Sequence, residues 1–382
     1  MSVSVDNALL DAVREIEPTI REHAAEAERE RRLSRPVVDA MREAGLFRML
    51  TPRSLGGLEV DPVTFGRVME EVSRYDSAAG WAIQIGNSVD WWCCRLPDEG
   101  AEELYADDRD AFIAAAFHPP VEAVAVEGGY RLTGRRPLAS NIREATWLMV
   151  TAVAGEEAVA AIVRAEEARI VDTWYSLGMR GTDSNDVALD DVFVPKSRTF
   201  PLTPEFEPGT HYQGPLYRIP AMAEAGLVLA PVALGIAREA IDELRALAEG
   251  KTPFGSARVL RERPLAQGRL GRAEGVLRSA RALFYGTMEE AWERALAGEP
   301  VTLEQRADAL LASTHALSSC VEAVDLVYSI AGTSAIYTRN PIERHFRDIQ
   351  TIRHHGFISE SRFETVGQVY LGVEPEFGFV YF

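Results

Sequence analysis

The chain has 382 residues, an apolar share of 47% and a formal net charge of −18. This length and composition predict a folded protein of two or three structural units, and they exclude a disordered or fibrous chain. Because nucleic acids and anionic membranes are bound by basic surfaces, the acidic balance argues against both as partners.

The low cysteine content and the lack of a secretory signal predict a cytoplasmic protein. The three cysteines, Cys93, Cys94 and Cys320, lack metal-ligand spacing, so neither disulfides nor a bound metal is expected. The acidic N-terminus lacks a secretory signal, and no apolar run approaches the length that crosses a bilayer.

Helical periodicity dominates residues 1–110. One apolar helix face is marked, at spacings of i, i+3, i+4 and i+7, by Phe65, Val68, Met69 and Val72. We therefore predict an N-terminal helical domain over this range.

The pattern changes further along the chain. Residues 111–201 contain short alternating runs separated by Gly, Asp and Asn, which predict strands and turns of a middle β domain. Residues 202–217 are rich in Pro and Gly and predict a linker. Residues 218–382 return to a helical pattern, long enough for four long helices. The fold class predicted from this order is α+β.

Five segments resemble, in the same order, the acyl-CoA dehydrogenase family. They are GLFRMLTPRSLGG (45–57), GYRLTGRRPLASN (129–141), GMRGTDSNDVALDDVFVP (178–195), KTPFG (251–255) and NPIERHFRD (340–348). The resemblance implies an N-terminal α domain, a middle β-barrel domain, a C-terminal four-helix bundle and a flavin cofactor. In the last segment, Glu343 and Arg347 lie four residues apart, so on a helix they could pair with each other or with a neighbouring subunit.

A missing glutamate distinguishes the chain from common members of that family. Their catalytic base stands eight residues after the aspartate that corresponds to Asp348, and here that position is Gly356. A carboxylate is needed there because the α-proton of the substrate must pass to a positioned base. The preceding residue, His355, is instead similar to a histidine of two-component flavin monooxygenases of the 4-hydroxyphenylacetate hydroxylase type. This resemblance implies a catalytic His355 that deprotonates the substrate, orients it or donates a hydrogen bond to a flavin peroxide, with an ordinary pKa of about 6.5.

Ser140 stands where the family places a hydroxyl that hydrogen-bonds flavin N5, so the resemblance implies a catalytic and cofactor-binding role. Two neighbours depart from the hydroxylase pattern, since Arg136 replaces a tryptophan and Asn141 a glycine. Further residues that could reach the cofactor are His118, Arg180, Thr182, Ser184, Lys251 and Gln267. The last two are expected to contribute to the flavin site of a neighbouring subunit.

Three residues are candidates for substrate binding. Trp81 and Trp92 carry flat aromatic rings that can line a cavity. His354 is the third; if the segment is helical, its side chain points about 100° away from His355 and is the less important of the two.

The favoured function is that of a flavin-dependent monooxygenase. Reduced FMN or FAD would come from a separate flavin reductase and react with O₂ to hydroxylate or oxygenate a small, aromatic substrate. No G-x-G-x-x-G follows a strand pattern, so electrons from a nicotinamide cofactor would arrive through that other protein. A homotetramer is expected. Two alternatives stay open, an acyl-CoA dehydrogenase-type oxidoreductase with a relocated base and a non-catalytic protein of the same fold.

Overall fold

A computed structural model of the chain describes residues 6–382, apart from the side chains of residues 222–224. That part begins with helices α1 (Asn7–Glu30), α2 (Arg35–Glu43), α3 (Pro62–Tyr75), α4 (Ser77–Cys93) and α5 (Asp98–Tyr105). The apolar face predicted around Phe65 lies on α3 and is buried. Almost every residue of α4 is buried, and its mostly apolar composition fits a helix inside the protein.

The strands are β1 (Ile113–Val126), β2 (Gly129–Ala139), β3 (Trp147–Ala154), β4 (Glu157–Arg164), β5 (Arg169–Val171), β6 (Asn185–Pro195) and β7 (Thr199–Pro201). Within the described residues they form one seven-stranded sheet of order β5-β6-β2-β1-β3-β4-β7. β1 and β3 pair in parallel, and the other neighbours are antiparallel. The β2–β6 register shifts between Arg136 and Ala139, so the ladder is interrupted just before Ser140.

The remaining helices are α6 (Ala221–Gly250), α7 (Pro264–Ala297), α8 (Leu303–Ala331), α9 (Pro341–Ile352) and α10 (Arg362–Tyr370). α8 packs against both α6 and α7, and the shorter α9 packs against α6 and α8. By length and composition alone, Leu303–Ile336 is apolar enough to cross a membrane, but 67% of its most apolar stretch is buried in the protein. Its apolar character is that of a core helix.

The order of helical, β and helical regions confirms the predicted fold class. The predicted domain limits at residues 110, 201 and 217 remain a prediction. They fall between α5 and β1, at the last residue of β7, and in the turn before α6.

Two arginines of α9 connect this helix to the N-terminal helices. Arg344 donates to Asp76 at the α3–α4 junction, at 2.6 Å. Arg347 donates to Glu28 of α1 and to Glu343, both at 2.6 Å. Of the two pairings considered for Glu343 and Arg347, the structure shows the one within the helix, and it extends into a network that reaches another region of the chain.

Asp348, on the same helix, connects α9 to the β region. Its buried carboxylate accepts hydrogen bonds from the Ser77 hydroxyl at 2.5 Å and from the Met179 N–H at 2.6 Å. We call Arg344, Arg347 and Asp348 the α9 clip. The clip fixes the position of α9, and of the turn that follows it, relative to α1, α4 and the loop before β6.

Candidate active site

A cavity of about 630 Å³ lies where the central sheet, α4 and the turn after α9 meet. Its volume is within the range of small-molecule sites, about 300–1,000 Å³. The lining side chains are mostly apolar and aromatic, with a few hydroxyl, amide and imidazole groups among them. Such a lining positions an organic ligand through a small number of directed contacts.

One face of α4 forms a wall of this cavity. The lining residues of α4 recur at spacings close to the helical period and are Trp81, Gln84, Ile85, Ser88 and Trp92. Both predicted tryptophans therefore lie in the wall, and their contact with substrate stays a prediction. The Trp92 ring packs against Phe117 of β1, with 5.7 Å between ring centroids, so aromatic groups from two elements meet here.

Gln84 is a lining residue that the sequence analysis missed. Its side chain is only 5% exposed, and its Oε1 atom has no hydrogen-bond partner in the protein. A buried acceptor without a partner costs about 1–3 kcal/mol, so a ligand N–H or O–H that reaches it is favoured. One signal was available in the sequence, since Gln84 lies three residues after Trp81 and therefore on the same face of the helix.

Ser140 begins a chain of buried hydroxyl groups at the sheet side of the cavity. The Trp81 Nε1–H donates to Ser140 Oγ at 3.1 Å. Ser140 Oγ lies 2.8 Å from Ser184 Oγ, which lies 2.6 Å from Thr182 Oγ1. Thr182 donates in turn to the Met179 carbonyl oxygen at 2.8 Å. All three hydroxyl residues line the cavity, and their predicted contacts with the cofactor remain predictions.

The backbone around Ser140 explains one departure from the hydroxylase pattern. Asn141 has φ +53°, and its N–H donates to the Thr182 carbonyl at 2.7 Å. Glycine and asparagine are the residues that adopt this left-handed conformation most readily, so asparagine can replace glycine here. The other departure, Arg136, is buried outside the cavity lining and donates to the Arg135 carbonyl.

His355 lies in the turn after α9 and lines the cavity between two aromatic rings. Its imidazole makes edge contacts with Trp81 and Phe357, at centroid distances of 5.6 and 5.4 Å. Burial lowers the pKa of His355 to about 4, so the ring is neutral at physiological pH. The Phe357 N–H donates to Nδ1 at 3.4 Å, which places the proton of the neutral ring on Nε2.

The geometry expected for His354 was wrong in one respect. α9 ends at Ile352, so His354 and His355 lie in a turn and are not separated by a helical rotation. His354 is exposed but still lines the cavity, at its solvent side, and so does the exposed His118. A Gly two residues after His354 was the available sign that the helix would end early.

Three predicted cofactor-binding residues lie outside the cavity lining. Arg180 donates to the Ser176 carbonyl at 3.0 Å and is paired with Glu28 at 3.4 Å. The Lys251 ammonium donates to the Ala331 carbonyl at the end of α8, and the Gln267 amide donates to the Arg261 carbonyl at 3.0 Å. Within one chain these residues do not meet Ser140. Their predicted contacts with cofactor remain predictions, across a subunit interface for Lys251 and Gln267.

The position of the missing glutamate is part of the cavity. Gly356 lines it, beside His355 and Phe357. Among the lining side chains that the structure describes, which exclude residues 222–224, none is an aspartate or glutamate. The described walls thus offer imidazole and hydroxyl groups where a dehydrogenase presents its carboxylate base.

Comparisons with known proteins agree with this geometry. Family models of the acyl-CoA dehydrogenase N-terminal domain and C-terminal domain match residues 5–96 and 227–360. Indole-3-acetate monooxygenase of Pseudomonas putida is 35% identical over 98% of this chain and 95% of its own. The flavin-dependent monooxygenase oxygenase subunit HsaA of Rhodococcus jostii is 27% identical over 88% and 91%. The structure of XiaF from a Streptomyces species, in complex with FADH₂ and glycerol, covers 96% of both chains with a TM-score of 0.91 and 25% identity.

The chain belongs to the acyl-CoA dehydrogenase family, as the five sequence segments predicted. Within that family it is an oxidoreductase of the flavin-dependent monooxygenase branch, because the full-length relatives with these names match nearly the whole chain. The preference for a monooxygenase over a dehydrogenase, based on Gly356 and His355, is confirmed.

Proposed function

We propose that the protein is the oxygenase component of a two-component system. It takes reduced FMN or FAD from a separate flavin reductase and uses O₂ to oxygenate a small aromatic compound that carries an N–H or O–H group. The observation that carries this proposal is the cavity itself, in which Ser140, His355 and Gln84 present polar groups between aromatic walls.

The residues around Ser140 fit a flavin. Ser140 Oγ faces the cavity at the interrupted end of β2, and the rings of Trp81 and Trp174 lie in the adjoining walls. When bound, reduced flavin supplies the two electrons that activate O₂, of which one oxygen atom goes to the substrate and the other leaves as water. We propose that Ser140 holds the flavin ring at N5, while the apolar walls keep bulk water out.

The walls also indicate the substrate class. The aromatic side chains Trp92, Phe117 and Phe357 favour a flat ring, and the unpaired Oε1 of Gln84 favours a hydrogen-bond donor on it. Indole-3-acetate, named for the relative of 35% identity, has both features. We therefore propose an indole or phenol as the substrate type.

His355 acts as a hydrogen-bond donor to the bound substrate. The Phe357 N–H occupies Nδ1, and the low pKa of His355 keeps the ring neutral, so Nε2–H is the group left to act. Of the three roles left open by the sequence, the two that need a hydrogen-bond donor are favoured over deprotonation, and we propose orientation of the substrate. His354 and His118, which are exposed at the same cavity, are proposed to contact ligands at its solvent side.

The test supplies the purified protein with FMN or FAD, a flavin reductase, NADH and ¹⁸O₂, with indole and indole-3-acetate as probes. The expected product carries one ¹⁸O atom, and omitting the reductase abolishes its formation. Oxidation of acyl-CoA esters with an artificial electron acceptor, without oxygen incorporation, would instead support the dehydrogenase alternative. Flavin binding without turnover would support the non-catalytic alternative, and failure to bind either flavin would contradict both enzyme functions.

We also propose a homotetramer in the cytoplasm. Large apolar side chains are exposed on the connection before α7 and on α7 itself, among them Phe254, Leu265 and Leu283. Exposed apolar groups of this kind are typical of subunit interfaces. Lys251 and Gln267 lie in the same part of the chain, where a second subunit would bring them near a neighbouring flavin site. Light scattering should give about four times the chain mass of 42.1 kDa.

A further inference from the structure

The hydroxyl chain at the cavity has a direction that its contacts determine. Three oxygen–oxygen contacts link Ser140 to Ser184, Ser184 to Thr182, and Thr182 to the Met179 carbonyl, at 2.8, 2.6 and 2.8 Å. Each contact at such a distance needs one hydrogen between its oxygens. The three hydroxyl groups supply three hydrogens, and the carbonyl supplies none.

Only one assignment puts a hydrogen in every contact. Thr182 donates to Met179, Ser184 donates to Thr182, and Ser140 donates to Ser184. At the other end, the Trp81 Nε1–H can only donate, and it donates to Ser140 Oγ at 3.1 Å. The chain therefore runs from the Trp81 indole to the Met179 carbonyl.

This direction leaves Ser140 with one function toward the cavity. Its hydrogen is used for Ser184, and one of its two lone pairs receives the Trp81 hydrogen. The remaining lone pair can accept a hydrogen bond from a ligand, but no hydrogen is left to donate. The three hydroxyl residues are buried, with exposures of 1% for Thr182 and 5% for Ser140 and Ser184, so bulk solvent has little access to these bonds.

Reduced and oxidised flavins differ at the atom that Ser140 is proposed to meet. N5 carries a hydrogen in reduced flavin and a lone pair in oxidised flavin, and hydrogen bonds to the ring nitrogens tune the cofactor. An acceptor-only Ser140 matches the first form, whereas two lone pairs would face each other in the second.

We propose that Thr182 and Ser184 are positioning residues that make Ser140 an acceptor and thereby select reduced over oxidised flavin. This inference deepens the proposed function and rests on it. Neither residue has to touch the flavin, because both act through the direction of the hydroxyl chain.

The variant Thr182→Val tests the proposal. It removes the end of the chain but leaves no unpaired group at Met179, whose oxygen also accepts from the Thr182 N–H and from Trp174. Ser184 then has no acceptor at residue 182 and can donate to Ser140, whose own hydrogen becomes available to the cavity. Oxidised flavin should therefore bind more tightly, by about 2- to 13-fold for one hydrogen bond. Ser184→Ala frees the same hydrogen and should act in the same direction.

The measurement is the dissociation constant of oxidised FMN and FAD, and of the dithionite-reduced forms under anaerobic conditions. Thr182→Ser should restore the wild-type preference. Thr314→Val is the matched control, since Thr314 is buried in α8 outside the cavity lining, and it should leave the preference unchanged. A gain in affinity for one form cannot result from misfolding, which weakens the binding of both.

Two results would overturn the proposal, and they can be told apart. If the wild type prefers reduced flavin and both variants keep that preference, the hydroxyl chain does not set it, and the proposed function stands. If the wild type binds neither form, the proposed function fails and this inference fails with it.

Discussion

Two adjacent segments have different roles: α9 stabilises the fold, and the turn of residues 353–357 presents side chains to the cavity. In α9 the clip residues Arg344, Arg347 and Asp348 are all paired with groups from other regions. In the turn, His355 and the exposed His354 face the cavity and leave ring nitrogens available for a ligand. The charged motif that is most easily recognised in the sequence thus has a structural role. The side chains that can bind a ligand follow it directly in the sequence.

The largest effect is expected for Asp348→Ala. This change removes a buried carboxylate that pairs with Arg344 at 3.5 Å and accepts from Ser77 and Met179. Breaking a buried ion pair on one side costs about 3–5 kcal/mol, which a urea unfolding curve would report. Asp11→Ala removes an exposed ion pair on α1 and should change stability by less than about 1 kcal/mol. Equal effects of the two changes would remove the structural role of the clip.

His355→Ala should leave the fold intact and lower product formation. A loss of at least about tenfold, or about 1.4 kcal/mol of barrier, is expected from removing the Nε2–H that orients the substrate. His354→Ala is the matched control, and it should have a much smaller effect because the His354 side chain is exposed. Product yield with indole as substrate, together with flavin affinity, distinguishes the two. A larger loss in His354→Ala than in His355→Ala would show that the catalytic role belongs to His354.

The pH dependence sharpens the same contrast. The pKa of His355 in the folded protein is about 4, below its ordinary value of 6.5, so protonation is disfavoured by folding. The function of the neutral ring should persist through pH 6.5 and be lost only as the pH falls toward 4. As the pH falls, the unfolded chain binds this proton at a higher pH than the folded protein does. The contribution of the neutral His355 to the free energy of unfolding is therefore complete above pH 6.5 and declines below it. The activity ratio of wild type to His355→Ala, measured from pH 4 to 8, should therefore show no inflection near 6.5.

The smallest effect is expected for Ser140→Ala. It removes one hydrogen bond to the flavin, worth about 0.5–1.5 kcal/mol, which corresponds to about 2- to 13-fold in rate. The expected result is less product per O₂ consumed, with a nearly unchanged fold. Ser279→Ala on the exposed surface of α7 is the control and should keep the wild-type ratio. An unchanged ratio of product to O₂ in Ser140→Ala would show that this hydroxyl has no role in the reaction.

Much of the fold followed from local patterns. The apolar face around Phe65 and the alternating runs of residues 111–201 predicted a helix and strands without any knowledge of contacts. Such periodicities are visible in the sequence because each helix or strand buries one side, which places its apolar residues at regular spacings. The family resemblance then ordered these elements and placed Ser140 and His355 in one cavity.

Other features depend on contacts that a single sequence does not encode locally. The unpaired Oε1 atom of Gln84 and the direction of the hydroxyl chain both depend on which distant residues the fold brings together. Ser140 and Ser184, for example, are in contact although they lie more than forty residues apart in the sequence. The end of α9 at Ile352 was missed for a different reason, since Gly356 was a local sign of it that the prediction did not use. Lys251 and Gln267 lie away from the cavity of their own chain, and only a second subunit can give them the predicted role.

The lining face of α4 has a consequence for protein engineering. Gln84, Ile85 and Ser88 shape the cavity, yet they belong neither to the α9 clip nor to the hydroxyl chain. Substitutions at these three positions can therefore change which compounds fit while leaving the scaffold and the Ser140 region as they are. A small combinatorial library over these positions therefore samples new cavity shapes on an unchanged scaffold.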